Sequence, residues 1–162
     1  TQIYEGTNGV QAMDLVGRKL PKDGGRGIRA FFEVVGADIA DAKAAADAVD
    51  IASALERALN DLQAATIWLA QHASSNPDNA GAGAYAYMDL MGLVTLGWMW
   101  LKMARAASAA LAAGGSEGKD FYDAKLITAQ FYAQRELPLS TALRHKIEAG
   151  AETLMKIPAE AF

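Results

Sequence analysis

Between Ala84 and Ala113 the chain carries its most apolar stretch, dense in Tyr, Met, Leu and Trp, with Asp89 as the one charge before Lys102. Such a stretch reads as a helix that other elements must cover. A membrane span needs about 20 consecutive apolar residues, and this segment nearly meets that length. Against a span, Asp89 sits inside it, Gly92 and Gly97 interrupt it, and other segments carry apolar stripes that themselves need covering. The reading that follows is a central core helix without a transmembrane segment.

The rest of the chain supplies partners of the same type. Thr7 to Leu20 places Val10, Met13, Val16 and Leu20 at helical spacing, with Thr7 or Asn8 as the start cap and Pro21 as the stop. Lys22 to Gly27 has no periodicity and three glycines, so it reads as a boundary. A second stripe runs through Ile28, Phe31, Phe32, Val35, Ile39 and Ala42. A third runs from Val49 through Leu55, Leu59, Leu62 and Ala65 to Leu69 and stops at Ser74-Ser75-Asn76-Pro77, because residues before proline avoid the α region. Gly114 to Gly118 closes the apolar helix, and a last pair, Phe121 to Glu136 and Leu139 to Met155, is split by Leu137-Pro138. Ala holds 35 of the 162 positions, which favours helices packed closely through small side chains. The expected fold is all-α: an antiparallel helical bundle of about four to five long helices preceded by a short N-terminal helix.

Composition excludes several classes of function. Hydrophobic residues at 52% and charged residues at 21% argue against disorder and fibrous repeats. A net charge of -4 gives nucleic acid no broad electrostatic reason to bind. With 0 Cys there is no disulfide framework, thiolate nucleophile or zinc-thiolate site. No basic segment followed by an apolar one marks a signal peptide, and a cytoplasmic protein is expected. The chain begins at Thr1 and not Met, so a fragment of a longer protein is expected.

Most isolated chemical candidates have plain structural explanations. His72 and His145 lack a partner at His-x-x-x-His spacing, so no metal site is expected. Gly81-Ala82-Gly83 lacks the preceding strand of a phosphate-binding loop and reads as a flexible helix start. Asp89 must be paired, protonated or turned to water, and a structural Arg or Tyr partner is expected. Arg18, Lys19, Lys22, Arg26 and Arg29 could receive an anion or diphosphate; interaction with the C-terminal dipole of the first helix is the favoured reading.

The informative segment is Gln2-Ile3-Tyr4-Glu5-Gly6-Thr7-Asn8-Gly9-Val10-Gln11. Glu5 stands just before a helix N-terminus, where free N–H groups favour an anion, and Gly6 lets a backbone N–H approach a ligand. Tyr4 adds an aromatic wall, against which a desolvated carboxylate has its pKa raised toward the range of a general base. On physics alone an ordinary helix-capping loop remains the competing explanation.

The string Tyr4-Glu5-Gly6-Thr7-Asn8 resembles the signature near the C-terminal end of the acyl-CoA dehydrogenase family. A chance match to five specified residues in such a chain is roughly one in twenty thousand. The likeness continues through Val10 to Leu20. From about Lys22 onward the chain is similar to the extra C-terminal helical region of a longer subfamily, which includes enzymes for 3-methylmercaptopropionyl-CoA and related substrates. The resemblance implies an FAD-dependent enzyme that oxidises an acyl-CoA thioester to the trans-2-enoyl-CoA. It implies Glu5 as the base that takes the α-proton while hydride passes to the flavin, and Gly6 as a holder of the thioester carbonyl. It also implies Tyr4 lining the acyl pocket and Thr7 and Asn8 approaching FAD. Many relatives carry Gln where this chain has Gly9. The implied partners are an acyl-CoA substrate, electron-transfer flavoprotein or a similar acceptor, and further copies in a homo-oligomer.

On this resemblance residues 1–20 end the catalytic helical domain, 21–27 link, and 28–162 form an accessory helical bundle. The piece alone is expected to be inactive. The alternative is a helical interaction or oligomerisation module with no catalytic role of its own.

Overall fold

The computed structural model describes residues 6–161. Among them there is no strand, and seven α-helices follow in order: α1 (Thr7–Asp14), α2 (Arg26–Ala44), α3 (Val49–His72), α4 (Asp78–Ala112), α5 (Lys119–Phe131), α6 (Leu139–Glu148) and the single turn α7 (Glu152–Met155). The all-α bundle expected from the periodicities is the observed fold.

The spine is α4. Its 35 residues span about 52 Å at 1.5 Å per residue. Gly83, Tyr87, Leu90, Val94, Gly97, Leu101 and Ala104 recur at alternating spacings of four and three, so they form one stripe, and all are buried. The helix begins at Asp78, one turn and more before the expected Ala84, because Pro77 occupies the N-cap and a fixed φ suits a helix start. Gly81 and Gly83 therefore lie inside the helix rather than forming a flexible start. At Gly83 a Cβ would stand 3.2 Å from Ile147 Cγ2, and at Gly97 a Cβ would stand 2.8 Å from Leu137 Cδ2 and 3.2 Å from Leu55 Cδ1. Both glycines mark where neighbouring helices press directly on the α4 backbone.

Around this spine α3 and α4 form an antiparallel hairpin, with Thr66 opposite Tyr87. The run from α5 to α6 packs along α4, and α6 also packs on α3, placing Tyr132 at Leu93, Leu137 at Gly97 and Ile147 at Gly83. The Phe121 to Glu136 helix is α-helical to Phe131 and then takes one wider π-turn, in which Leu137 N–H donates to the Tyr132 carbonyl at 3.0 Å. α2 packs on α3 and is tied to α4 by Asp38, which accepts from Trp98 Nε1 at 2.6 Å and from Lys102 Nζ at 3.1 Å. Phe31 meets the Trp98 ring edge-on at 6.0 Å. The Trp98 indole N–H first, then Lys102, holds the Asp38 carboxyl below its ordinary pKa against a smaller opposing effect of burial.

Two ends differ from the expected pattern. The last long helix stops at Glu148 and not Met155, because Gly150 adopts the left-handed φ of +67° that a helix cannot continue through. Lys22 to Gly25 forms a 3-10 turn with Asp23, Gly24 and Gly25 at positive φ, and α2 follows from Arg26. α1 leads into another π-turn, Leu15–Lys19, and packs on α4 with Ala12 and Val16 buried in the common core.

Candidate functional site

α1 is where the sequence places its chemistry. Tyr4 and Glu5 lie outside the described residues. Gly6 is the N-cap of α1 and carries no side-chain cap, so the expected capping by Thr7 or Asn8 gives way to a helix that starts at Thr7 itself. The first intrahelical bond runs from Val10 N–H to the Gly6 carbonyl at 3.2 Å. Gly6, Thr7 and Asn8 are all exposed, and among the described residues a Cβ built on Gly6 or Gly9 would meet nothing within 4 Å. Among the described residues no side chain caps this helix start, whose free N–H groups carry partial positive charge.

At the far end of the same run the cations have local partners. Arg18 donates from Nε and Nη2 to the Asp14 carboxylate at 2.5 and 2.8 Å, and Lys19 reaches the same group at 3.1 Å. These neighbours, Arg18 foremost, lower the Asp14 pKa to about 2. Arg26 pairs with Asp23 at 3.2 Å, and Arg29 donates to the Gly24 carbonyl. With Arg18 and Lys19 in the last turn before Leu20, the arrangement matches helix-end cations rather than a converging anion site.

Asp89 is exposed, and it makes no hydrogen bond or ion pair among the described residues. The expected Arg or Tyr partner is absent because α4 turns this position outward, between the buried neighbours Tyr87 and Leu90. His72 stacks on Trp68 at 4.4 Å with Nδ1 2.8 Å from the Trp68 carbonyl, and His145 Nε2 lies 3.2 Å from Arg144 Nη2. No group of three or more His, Asp or Glu able to hold a metal ion is found among the described residues.

Two features were not anticipated from the sequence. Asp61 on α3 is buried and accepts hydrogen bonds from Ser140 Oγ at 2.7 Å, Thr141 Oγ1 at 2.9 Å and Arg144 Nη1 at 3.1 Å, all on α6. The available signal was a carboxylate on the apolar stripe between Leu59 and Leu62. The other is an apolar cleft of about 780 Å³ between the end of the α1 run, the start of α2 and the outer face of α3, floored by Val16, Leu20, Ile28, Phe32 and Ile67. It opens at Leu20, about 20 Å of helix from Thr7, so it is separate from the α1 start. Beside it the Tyr87 hydroxyl meets Thr66 Oγ1 at 2.7 Å, and burial pushes the Tyr87 pKa up to about 12 although that bond opposes the rise.

Comparison with known proteins fixes the family. The family model described as "Acetyl-CoA dehydrogenase C-terminal like" matches residues 29–158. The chain belongs to this family. It is 37% identical over 154 residues to a 3-methylmercaptopropionyl-CoA dehydrogenase of Ruegeria pomeroyi, covering 94% of this chain and 26% of that protein. It is 29% identical over 167 aligned residues to the broad-specificity linear acyl-CoA dehydrogenase FadE5 of Mycobacterium tuberculosis, covering 99% of this chain and 27% of that protein. The chain thus spans about a quarter of the length of these curated relatives. The resemblance carried by Tyr4 to Leu20 and the pattern beyond Lys22 is borne out as a C-terminal acyl-CoA dehydrogenase region. No helix among the described residues is long and apolar enough to cross a membrane.

Proposed function

We propose that this chain is the C-terminal part of a flavin-dependent acyl-CoA dehydrogenase that oxidises an acyl-CoA thioester to the trans-2-enoyl-CoA. The observation that carries the reading is positional. Tyr4-Glu5-Gly6-Thr7-Asn8 runs in sequence into the start of α1, with Gly6 at its N-cap, in a chain that belongs to this family. In this reading Glu5 is the general base and takes the α-proton onto its carboxylate. Such a base contributes typically about 10²–10⁴-fold. The Gly6 N–H donates to the thioester oxygen, which gains charge as the proton leaves. Tyr4 lines the acyl pocket and keeps water from the Glu5 carboxylate, raising its proton affinity. Thr7 and Asn8 face the flavin, which when bound supplies the acceptor for the β-hydride.

Residues 1–20 then belong to the catalytic body, 21–27 link, and 28–162 form the accessory bundle. The bundle packs on the catalytic domains or on a neighbouring subunit of a homo-oligomer, and electron-transfer flavoprotein or a similar acceptor reoxidises the whole enzyme. Support for packing comes from the outer face of α4, where Tyr85, Leu96 and Met103 remain exposed after the bundle has closed.

The test is Glu5→Gln in the full-length parent. Dehydrogenation should fall by at least about 10²-fold while bound FAD is retained; normal turnover would remove Glu5 from the role. Truncating the parent after Leu20 tests the bundle. Loss of folding or oligomerisation supports an integral part, whereas intact activity with loss of a protein partner supports the interaction module.

A further inference from the structure

The same molecule carries an apolar cleft and an apolar segment with nothing beneath it. After Ala151, which is buried, every residue from Glu152 to Ala161 is exposed. Leu154, Met155 and Ile157 are 67%, 65% and 54% exposed. These three large side chains within four positions pack on nothing, while the cleft presents Ile67 and Ala70 of α3 to solvent.

Placement brings the two together. Ala151 is pinned at the α3–α4 corner, its N–H donating to Asn79 Oδ1 at 3.0 Å, while Asn79 Nδ2 reaches the His72 carbonyl at 3.4 Å. Pro77 and Ala80, on either side of Asn79 in sequence, line the near end of the cleft together with Ala73 and Ser74. The ten residues after Ala151 can extend about 33 Å. The α3 wall from Gln63 to Ser74 runs about 16 Å, so the segment has the reach to turn the corner and cover it. Charge agrees in sign. The far rim carries Arg29, and the distal end of the segment bears Glu160.

We propose that Glu152–Ala161 is a strap that folds over this cleft in its own chain, seating Leu154, Met155 and Ile157 against the α3 wall with Glu160 toward the Arg29 rim. Gly150, already left-handed, ends α6 and releases the strap. Pro158 disfavours helical backbone at Ile157, which suits a segment that leaves its helix to lie along a groove.

Absence of native cysteine makes the test direct. Met155→Cys combined with Ala70→Cys places thiols on two exposed positions, so neither substitution disturbs the core. Under mild oxidation a disulfide within the monomer is expected. Its rate of formation should drop at least tenfold when Leu154→Ser and Ile157→Ser are added, because docking and not simple tethering brings the thiols together. Absence of the monomer disulfide, a rate unaffected by the serine substitutions, or covalent dimers in place of cross-linked monomers would each overturn the proposal.

Discussion

Replacing Asp61 by alanine should unfold this bundle more readily than any surface charge change. The carboxylate is 7% exposed and takes three hydrogen bonds from α6: Ser140 at 2.7 Å, Thr141 at 2.9 Å and Arg144 at 3.1 Å. Hydrogen bonds to a charged group contribute about 1.5–3 kcal/mol each, so simple addition gives about 4.5–9 kcal/mol. That sum is too large. The Arg144 side chain is 32% exposed and keeps Glu148 at 3.5 Å, so it recovers water and a second carboxylate when Asp61 is removed. Ser140, at 2% exposure, recovers neither. Thr141 is exposed and recovers water as well, so discounting it with the arginine leaves the Ser140 bond, about 1.5–3 kcal/mol, which for a domain of this size lowers Tm by roughly 3–12 °C. Urea unfolding followed by circular dichroism measures it, and a double-mutant cycle with Ser140→Ala should return a coupling of at least about 1 kcal/mol. A loss below about 1 kcal/mol, or a cycle with no coupling, would refute the view that this carboxylate clamps α6 onto α3. Asp14→Ala is the control. Arg18 and Lys19 perturb that carboxyl strongly, yet the pairs lie at the surface, with Arg18 68% and Asp14 27% exposed, and removal of Asp14 should leave Tm within error.

Three other perturbations follow from single contacts. Gly150→Ala forces a Cβ into a left-handed residue and 3.0 Å from Asn79 Oδ1, so a loss of about 1–2 kcal/mol is expected by chemical denaturation. Gly97→Val places its Cβ 2.8 Å from Leu137 Cδ2 and 3.2 Å from Leu55 Cδ1; overpacking of about 1–3 kcal/mol should exceed any gain from lost glycine flexibility, and unchanged urea midpoints would contradict it. For Asp38 the folded pKa is lowered, chiefly by Trp98 and then by Lys102. Its contribution is therefore present above the ordinary carboxylate range and is lost as pH falls through the lowered folded value. Asp38→Asn should flatten the acid limb of stability below about pH 4, and an unaltered limb would rule the contact out as its source.

How much was legible depended on whether a residue's environment is local. Helices α2 and α3 announced themselves because Val35, Ile39 and Ala42, and then Leu55, Leu59, Leu62 and Ala65, recur at the spacing of one helical face and are buried. The stop at Gly150 was missed because Leu139 to Met155 keeps a usable apolar pattern across it. The break is set by a backbone φ and by an Asn79 bond from another helix. Asp89 and Asp61 make the sharpest pair. Both carboxylates interrupt apolar segments, yet one faces water and the other is clamped by α6. On α4 every face is apolar, so no stripe told which side Asp89 occupies; on α3 the stripe existed, but its partners stand about 80 positions away (Ser140 is 79 residues on). The α1 signature was legible as a motif because its residues are contiguous, while the cleft, assembled from four separate segments, left no trace in any one of them.

The form of α1 bears on why a dehydrogenase would carry such a bundle. Ala12 and Val16 bury one side of the helix in the bundle core, whereas Val10 and Met13 stand 66% and 51% exposed on another. A helix that merely closed a bundle would place charged or polar groups outward, as α2 does with Glu33, Asp41 and Lys43. Apolar groups on two sides suit an element held between two bodies. The α4 contacts hold one side. Under the proposed function the catalytic body holds the other, and Glu5, two residues before Thr7, inherits its aim from both. Misplacing a general base by about 1 Å can cost 10²-fold in rate, so under the proposed function a bundle that fixes α1 by burying Ala12 and Val16 would act on the chemistry without touching substrate. Under that proposal the accessory helices are positioning structure for the base.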